Sequence, residues 1–306
     1  MQNKNSIKVY AAVLLSMACF ALSFVWFKVA NVNYGPLTIV FFRLVISSVL
    51  LFPFVKLSKR LVLPDKKDLK YILLLALFEP FLYFMAESFG LQHLSSTVGA
   101  VIIATIPLFT PFATFLFYKE KISLRVIIGI LISFGGVTLV IYEIGMGLTA
   151  SPLGIMLQFL AVFSAVGYSM VLPKISSKMN NLSIILFQNV IGSLYFLPFW
   201  FIFEKNRFLA TPFDQEGFIS IVYLAIFAST LAFIFYTYSI RFLGINKTSM
   251  FTNTIPVFTA VFALIILGDQ LSVQKTIGIL VVMLGLFFAQ LRWKKKYVGP
   301  DPIPRT

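Results

Sequence analysis

Charged residues are scarce in this chain, and cysteine and histidine are almost absent. Asp, Glu, Lys and Arg make up 12% of the 306 residues, against about 25% in soluble domains, which is too few charges to solvate a globular surface of this size. The single cysteine, Cys19, excludes an internal disulfide and a thiolate metal cluster. The single histidine, His93, argues against a histidine-based metal site or catalytic triad. No G-x-x-x-x-G-K-[ST] phosphate-binding loop occurs, so we expect no cofactor, no bound metal and no enzymatic activity.

Apolar residues are abundant instead: 59% of the chain is hydrophobic, with a mean hydropathy of +0.94. A membrane span needs about 20 mostly apolar residues, and barrel strands would alternate over about 10. The first apolar run resembles a signal peptide, but it has the length of a span and no clear cleavage site. The sequence therefore predicts an all-α polytopic membrane protein with ten transmembrane helices near 8–30, 36–55, 69–89, 95–117, 123–142, 152–173, 183–203, 217–240, 247–267 and 273–292.

Lysine and arginine predict how these helices are oriented. With the N-terminus in the cytoplasm, the cytoplasmic segments hold 20 Lys and Arg residues and the outer loops hold three, Lys205, Arg207 and Lys275. Cytoplasmic loops collect positive charge, so we expect both termini in the cytoplasm and a location in the bacterial inner (plasma) membrane. The same rule explains the net charge of +14 without nucleic acid as a partner.

An internal repeat divides the chain into two halves. Residues 90–140 align without a gap on 239–289, and 12 of the 51 positions are identical by direct count. A second match, at an offset of 145, places Arg43 over Gln188. We predict a first five-helix repeat over 1–148, a second over 149–296 and a cytoplasmic tail over 297–306. Five spans is an odd number, so the halves have inverted topology. Inverted repeats favour a secondary transporter over the alternative, a symmetric channel.

The repeated segments resemble those of a known family. The first copy carries Pro107, then Lys119-Glu120-Lys121-Ile122-Ser123, then glycines 129 and 136; the second carries Pro256, then Gly268-Asp269-Gln270-Leu271-Ser272, then glycines 278 and 285. This pattern is similar to that of the EamA family of the drug/metabolite transporter superfamily. Lys119 and Asp269 depart from it, since glycine and glutamate are common there. The resemblance implies ten helices and transport of small organic solutes, often export, without naming a substrate.

Four charged residues fall within or at the ends of the predicted spans. Charges at such depth usually face the bundle interior or a water-filled cavity. Glu79 lies near the middle of the third span, and Pro80 should kink the helix beside it. Glu79 is therefore a candidate carrier of a proton or a partner for a cationic group, or else an ion-pair partner of Arg43 or Lys28.

The other three charged residues have open alternatives as well. Arg43 can bind a carboxylate or phosphate, or it can pair with Glu79. Glu87, nearer the end of the same span, is a binding or gating residue or a plain interfacial charge. Lys28 contributes to a site or only extends to the interface.

Several uncharged residues complete the predicted site. Among polar and aromatic residues at span depth, we expect the substrate cavity to involve Gln188, Asn253, Tyr83, Tyr168, Tyr236 and Trp26. Helix kinks are expected at Pro80, Pro107 and Pro256. The sequence thus predicts a secondary transporter, in the export direction, for a small polar metabolite such as an amino acid, working by alternating access. A flippase for a lipid-linked substrate and a passive channel stay open as alternatives, and the oligomeric state is undetermined.

Overall fold

The structure, a computed structural model, describes residues 2–119, 122–143, 147–148, 150–175, 178–269 and 272–290. The predicted tail 297–306 and the pair Glu120-Lys121 lie outside the described residues. Ten apolar helices follow one another in the chain: α1 (Gln2–Ala30), α2 (Pro36–Leu57), α3 (Lys66–Leu91), α4 (Ser96–Phe117), α5 (Leu124–Ile141), α6 (Pro152–Lys174), α7 (Asn181–Ala210), α8 (Gln215–Leu243), α9 (Lys247–Ile266) and α10 (Val273–Gln290).

The predicted class, a polytopic helical membrane protein, is confirmed. Within the described residues nine helices, α1 to α9, are long and apolar enough to cross a membrane. The tenth apolar helix has a shorter apolar stretch, Val273–Ala289, so the count of ten spans stays a prediction. The two strands β1 (Tyr142–Glu143) and β2 (Gly147–Leu148) form a short antiparallel hairpin at the predicted boundary between the repeats.

Three helices contain irregular segments. Helix α3 is broken within Leu77–Leu82, where the backbone of Glu79 is extended, whereas α7 and α8 contain π-helical segments at Trp200–Glu204 and Leu224–Ala232. The segments in α3 and α8 overlap when the halves are aligned at the offset of 149, which places Glu79 over Ala228. π-helical turns occur frequently at functional sites because they displace side chains and free backbone groups. The two helices are therefore irregular at equivalent positions, α3 through a break at Glu79 and α8 through a π-helical segment.

Helices α5 and α10 pack against each other through glycine. A Cβ on Gly136 would lie 2.6 Å from the backbone nitrogen of Val282 and 2.8 Å from the carbonyl oxygen of Gly278, and one on Gly129 would lie 2.6 Å from the carbonyl oxygen of Gly285. Gly129 and Gly136 align in sequence with Gly278 and Gly285. Gly136 thus meets Gly278, the equivalent of Gly129, and Gly129 meets Gly285, the equivalent of Gly136. A two-fold relationship between the helices requires this reciprocity.

Both ends of the pair α2 and α7 are closed by hydrogen bonds. We call the side of the bundle where α1 begins the near side, and the side where α1 ends the far side. On the far side the buried carboxylate of Glu204 accepts hydrogen bonds from the backbone nitrogens of Leu37 (3.1 Å) and Thr38 (2.7 Å) and from the Thr38 hydroxyl (2.7 Å). A carboxylate at a helix N-terminus satisfies donors that the helix leaves open.

On the near side the corresponding contact is made by neutral groups. The Ser183 hydroxyl donates to the carbonyl oxygen of Arg60 (3.1 Å) and accepts from the backbone nitrogen of Val62 (2.9 Å). The Asn180 side chain donates to the same Arg60 carbonyl. The chain that follows α2 therefore holds the start of α7, as the end of α7 holds the start of α2.

Candidate functional site

A narrow internal cavity of about 50 Å³ lies in the middle of the bundle. A water molecule needs about 10–15 Å³ of such space, so the cavity has room for a few waters. Helices α1, α2, α3, α4, α6, α8 and α9 supply its walls, while α5, α7 and α10 contribute none of the lining residues. The charged groups in the wall are Arg43, Glu79 and Glu87, and aromatic rings surround them.

The break in α3 places Glu79 in the wall of this cavity. Glu79 has an extended backbone (φ −146°, ψ 118°) inside an otherwise helical span, and its side chain is 8% exposed. The neighbouring carbonyl of Phe78, released from regular helix, accepts a hydrogen bond of 2.6 Å from Ser164 on α6. Among the described residues, no hydrogen bond to the Glu79 carboxylate is present. Its oxygens therefore face the cavity as an available acceptor.

Arg43 brings the opposite charge from α2. Its Nε donates a hydrogen bond of 2.8 Å to the Ser229 hydroxyl, and its guanidinium carbon lies 4.2 Å from the centre of the Phe84 ring. Arg43 interacts electrostatically with Glu87 and Glu79 across the cavity. The described hydrogen bond of Arg43 goes to a hydroxyl, and the ion pair with Glu79 stays a prediction.

A polar network fixes the residues around Arg43. The Asn189 amide on α7 donates to the Ser47 hydroxyl (2.8 Å) and to the carbonyl oxygen of Ser229 (3.0 Å). Ser47 in turn shares a hydrogen bond of 2.5 Å with Thr230. This network joins α2 and α7 to the π-helical segment of α8, where irregular backbone exposes the Ser229 carbonyl. Arg43 is thus held by elements of both halves of the chain.

Glu87 is held more tightly than Glu79. The Tyr83 hydroxyl, one turn earlier on α3, donates a hydrogen bond of 2.9 Å to the Glu87 carboxylate. The side-chain amide of Gln158 on α6 donates to the backbone carbonyl of Glu87 (3.2 Å). Glu87 is 6% exposed, so it lies inside the bundle and not at the solvated end of its helix. Tyr83, expected only as a wall, also positions this carboxylate.

Two further predicted tyrosines line the cavity. Tyr168 on α6 and Tyr236 on α8 are both in its wall, and the Tyr168 hydroxyl donates to the side-chain oxygen of Gln188 (3.3 Å). Gln188 lies behind Tyr168 and outside the lining. Its amide nitrogen is buried without a hydrogen-bond partner among the described residues. Gln188 therefore contacts the site through Tyr168.

Three other predicted site residues lie away from the cavity. Lys28 donates a hydrogen bond to the carbonyl oxygen of Leu91, at the far-side end of α3. Trp26 packs against Tyr223 on a different surface. Asn253 is buried in a 3₁₀ turn of α9, and it is absent from the described lining, although its neighbour Thr252 is part of it.

The three predicted kink positions coincide with helix irregularities. Pro80 directly follows Glu79 at the break in α3. Pro107 and Pro256 are each the second residue of an α-helix, which begins at Ile106 in α4 and at Ile255 in α9. Proline is favoured at the first positions of a helix because it lacks the donor that such positions leave unpaired.

The most informative residue that sequence reasoning missed is Ser229. A serine within an apolar span carries no charge and gives no signal by itself. Its repeat equivalent is Pro80, one residue after the buried acid, and this correspondence is the signal that could have found it. Phe84, under the Arg43 guanidinium, gave no signal, because phenylalanine is common throughout the chain.

A bundle of membrane-spanning helices around a small, charged internal cavity is the architecture of a membrane transporter, and the comparisons agree. The model of the EamA-like transporter family matches residues 7–142 and again residues 152–291. The chain belongs to this family, which confirms the resemblance seen in its sequence. It is a multi-pass membrane protein.

Proteins similar to this chain are named as transporters. An uncharacterized transporter of Archaeoglobus fulgidus is 27% identical over 92% of this chain and 98% of its own length. The uncharacterized transporter YcxC of Bacillus subtilis is 27% identical over 95% of both chains. A solved crystal structure superposes with a TM-score of 0.69 at 14% identity, over 92% of this chain and 98% of that chain, which supports the fold alone. Family and relatives point to transport.

Proposed function

We propose that this protein is a secondary transporter that exports a small polar metabolite bound in the cavity between Arg43, Glu79 and Glu87. The observation that carries the proposal is the buried charge pattern. Both signs of charge face one cavity, and the described hydrogen bonds leave the Glu79 carboxylate available. Buried charge within a span is costly, and a purely structural pair would be expected to close on itself.

The arrangement fits a zwitterion such as an amino acid. With Nε bound to Ser229, the terminal nitrogens of Arg43 remain for a carboxylate, which guanidinium binds in a bidentate fork. Glu79 then accepts hydrogen bonds from an ammonium group or carries the coupling proton. The aromatic rings of Tyr168 and Tyr236 would enclose the rest of the molecule.

Transport requires the halves to move, because a cavity of about 50 Å³ is too small for a metabolite. Alternating access about the two-fold relationship of the repeats would open the far side and the near side in turn. In the predicted orientation the protein spans the inner (plasma) membrane and both of its termini are in the cytoplasm. A gradient of protons or of solute supplies the energy, since the sequence contains no nucleotide-binding loop.

The experiment is solute-dependent thermal stability of the purified protein, followed by flux in proteoliposomes. The panel holds amino acids, nucleobases, organic cations, phosphosugars and polyprenyl-phosphate analogues at pH 5.5 and 7.5. A ligand at about 100 times its dissociation constant adds about 2.7 kcal/mol of stability. Glu79→Gln should abolish both the stabilisation and the pH dependence of flux, whereas Glu79→Asp should retain part of each.

Other outcomes would replace the proposal. Stabilisation by polyprenyl-phosphate analogues alone would indicate a flippase for a lipid-linked substrate. Flux that does not saturate and shows no counter-transport would indicate a passive channel. Glu79→Gln transport equal to wild type in rate and pH dependence would exclude Glu79 from the site.

A further inference from the structure

A second, larger concavity lies on the far side of the bundle, outside the central cavity. It is an open groove of about 410 Å³ between α1, the start of α8 and the end of α9. Trp26, expected from the sequence to line the substrate cavity, lies in this groove instead. We call it the Trp26 groove, and it is lined by Trp26, Val29, Gln215, Glu216, Ile219, Ser220, Tyr223 and Ile266.

The α8 wall of the groove is one continuous stripe. Ile219, Ser220 and Tyr223 follow Glu216 by three, four and seven residues, and this spacing places their side chains on one helix face. Glu216 is exposed in the first turn, and Tyr223 lies seven residues deeper, about 10 Å along the axis at 1.5 Å per residue. The groove is therefore acidic and polar at its mouth and aromatic below.

Trp26 and Tyr223 form the deeper wall, and Phe227 packs behind them. The ring centres of Trp26 and Tyr223 are 5.1 Å apart, those of Trp26 and Phe227 5.5 Å, and those of Tyr223 and Phe227 6.1 Å. Aromatic faces attract organic cations, tryptophan most strongly. Among the described residues, no lysine or arginine stacks on these rings, and no ion pair engages Glu216. The groove thus presents a carboxylate and aromatic faces without a cation of the protein's own.

The position of the groove points to a lipid as the source of that cation. Its walls come from helix ends on one side of the bundle, where the apolar core of a bilayer meets its headgroups. Ile219 and Ile266, in the same wall, are 38% and 45% exposed, which leaves the groove open towards the surrounding membrane. A soluble ligand would leave these apolar side chains uncovered, whereas a phospholipid would cover them.

We propose that the Trp26 groove binds a phospholipid with an ammonium headgroup. Glu216 and the rings of Trp26 and Tyr223 hold the ammonium group. The Gln215 amide and the Ser220 hydroxyl are donors for the phosphate oxygens. Val29, Ile219 and Ile266 contact the glycerol and upper acyl region. This site is separate from the proposed substrate cavity, so either proposal can fail without the other.

Competitive lipid retention tests the site. The full-length protein is reconstituted with equal amounts of dioleoyl phosphatidylethanolamine, phosphatidylcholine and phosphatidylglycerol, and retained lipids are counted by native mass spectrometry. We expect one retained lipid with an ammonium headgroup, enriched about fivefold to tenfold over phosphatidylglycerol, as cation–π and carboxylate contacts of this kind predict. Glu216→Gln and Trp26→Leu should each reduce this enrichment to about twofold or less.

The matched control is Tyr142→Leu, which removes a half-exposed aromatic ring (49% exposed) at the far-side end of another helix. This variant should leave the enrichment unchanged. Two results would overturn the proposal: equal retention of the three lipids by wild type, and equal loss of the enrichment in the Tyr142→Leu control. Melting temperatures of the variants separate a lost site from a misfolded protein.

Discussion

Arg43 and Ser229 are joined by a hydrogen bond of 2.8 Å, although 186 positions separate them in the chain. Arg43 belongs to the second helix of the first half and Ser229 to the π-helical segment of the second half. The equivalent segment of the first half carries Glu79. The irregular segment of α3 therefore presents Glu79 to the cavity, and the equivalent segment of α8 holds Arg43 through Ser229.

Ser229→Ala should weaken the site by releasing Arg43. The substitution leaves Nε buried without its acceptor, which costs about 1–3 kcal/mol and allows the guanidinium to turn away from Phe84. We expect lower flux and a lower melting temperature, measured in proteoliposomes and by thermal unfolding. Ser193→Ala removes a hydroxyl that bonds only within its own helix and should change neither. Equal effects of the two variants would refute a positioning role for Ser229.

Tyr83→Phe should test the role of Glu87 separately from that of Glu79. It removes the donor to Glu87 and leaves the ring in place, so packing is preserved. Hydrogen bonds to charged groups contribute about 1.5–3 kcal/mol to stability, so we expect a lower melting temperature. Because Glu87 is then no longer held in place, we also expect the apparent affinity for the substrate to fall about tenfold or more. Tyr10→Phe, at an exposed tyrosine on α1, is the control. An unchanged KM would place Glu87 outside the binding site.

Gly136→Ala and Gly135→Ala form a matched pair. A Cβ at position 136 would lie 2.6 Å from a backbone atom of α10, whereas one at position 135 would meet nothing within 4 Å. Overpacking costs about 1–3 kcal/mol, so Gly136→Ala should lower the melting temperature. Gly135→Ala should leave it unchanged or raise it, because alanine favours helix. Equal melting temperatures would contradict the close packing of α5 and α10.

Glu204→Ala should loosen the far-side closure. Two backbone nitrogens of α2 and one hydroxyl lose their shared acceptor, and loss of a helix cap typically costs about 0.5–2 kcal/mol. We expect faster amide hydrogen exchange across residues 36–40, measured by mass spectrometry, with the Ser183 contact on the near side unaffected. Lys205→Ala, at the next residue, should leave the exchange as in wild type. Slow exchange in Glu204→Ala would show that α2 is held by other contacts.

Hydropathy alone predicted the helical membrane class and the approximate positions of the helices. Apolar runs locate the helix ends to within three residues, except at the start of α1 and the end of α7, because the thickness of the bilayer sets the length of a span. Three site residues could be predicted because a charge within a span is energetically costly and usually faces the bundle interior. They are Arg43, Glu79 and Glu87. The structure brings all three to one cavity, together with Tyr83, Tyr168 and Tyr236.

What could not be predicted depends on the rotation of helices about their axes. Trp26 lies on a face of α1 that points away from the cavity. Neither its aromatic side chain nor its depth in the span indicates which face it occupies. Lys28 is bound by a carbonyl at the end of α3, which is a contact between helices distant in sequence. Glu204 was missed because a charge at the end of a span has an ordinary explanation in solvation.

The glycine contact between α5 and α10 bears on how the halves would move in the proposed alternating access. Backbone lies against backbone there, and these two helices supply none of the described residues that line the cavity. In that mechanism the contact would be the axis about which the halves rotate. Displacement would grow with distance from this axis and be larger at the two closures of α2 and α7, so that a small turn at the glycines would become a wide opening at either mouth.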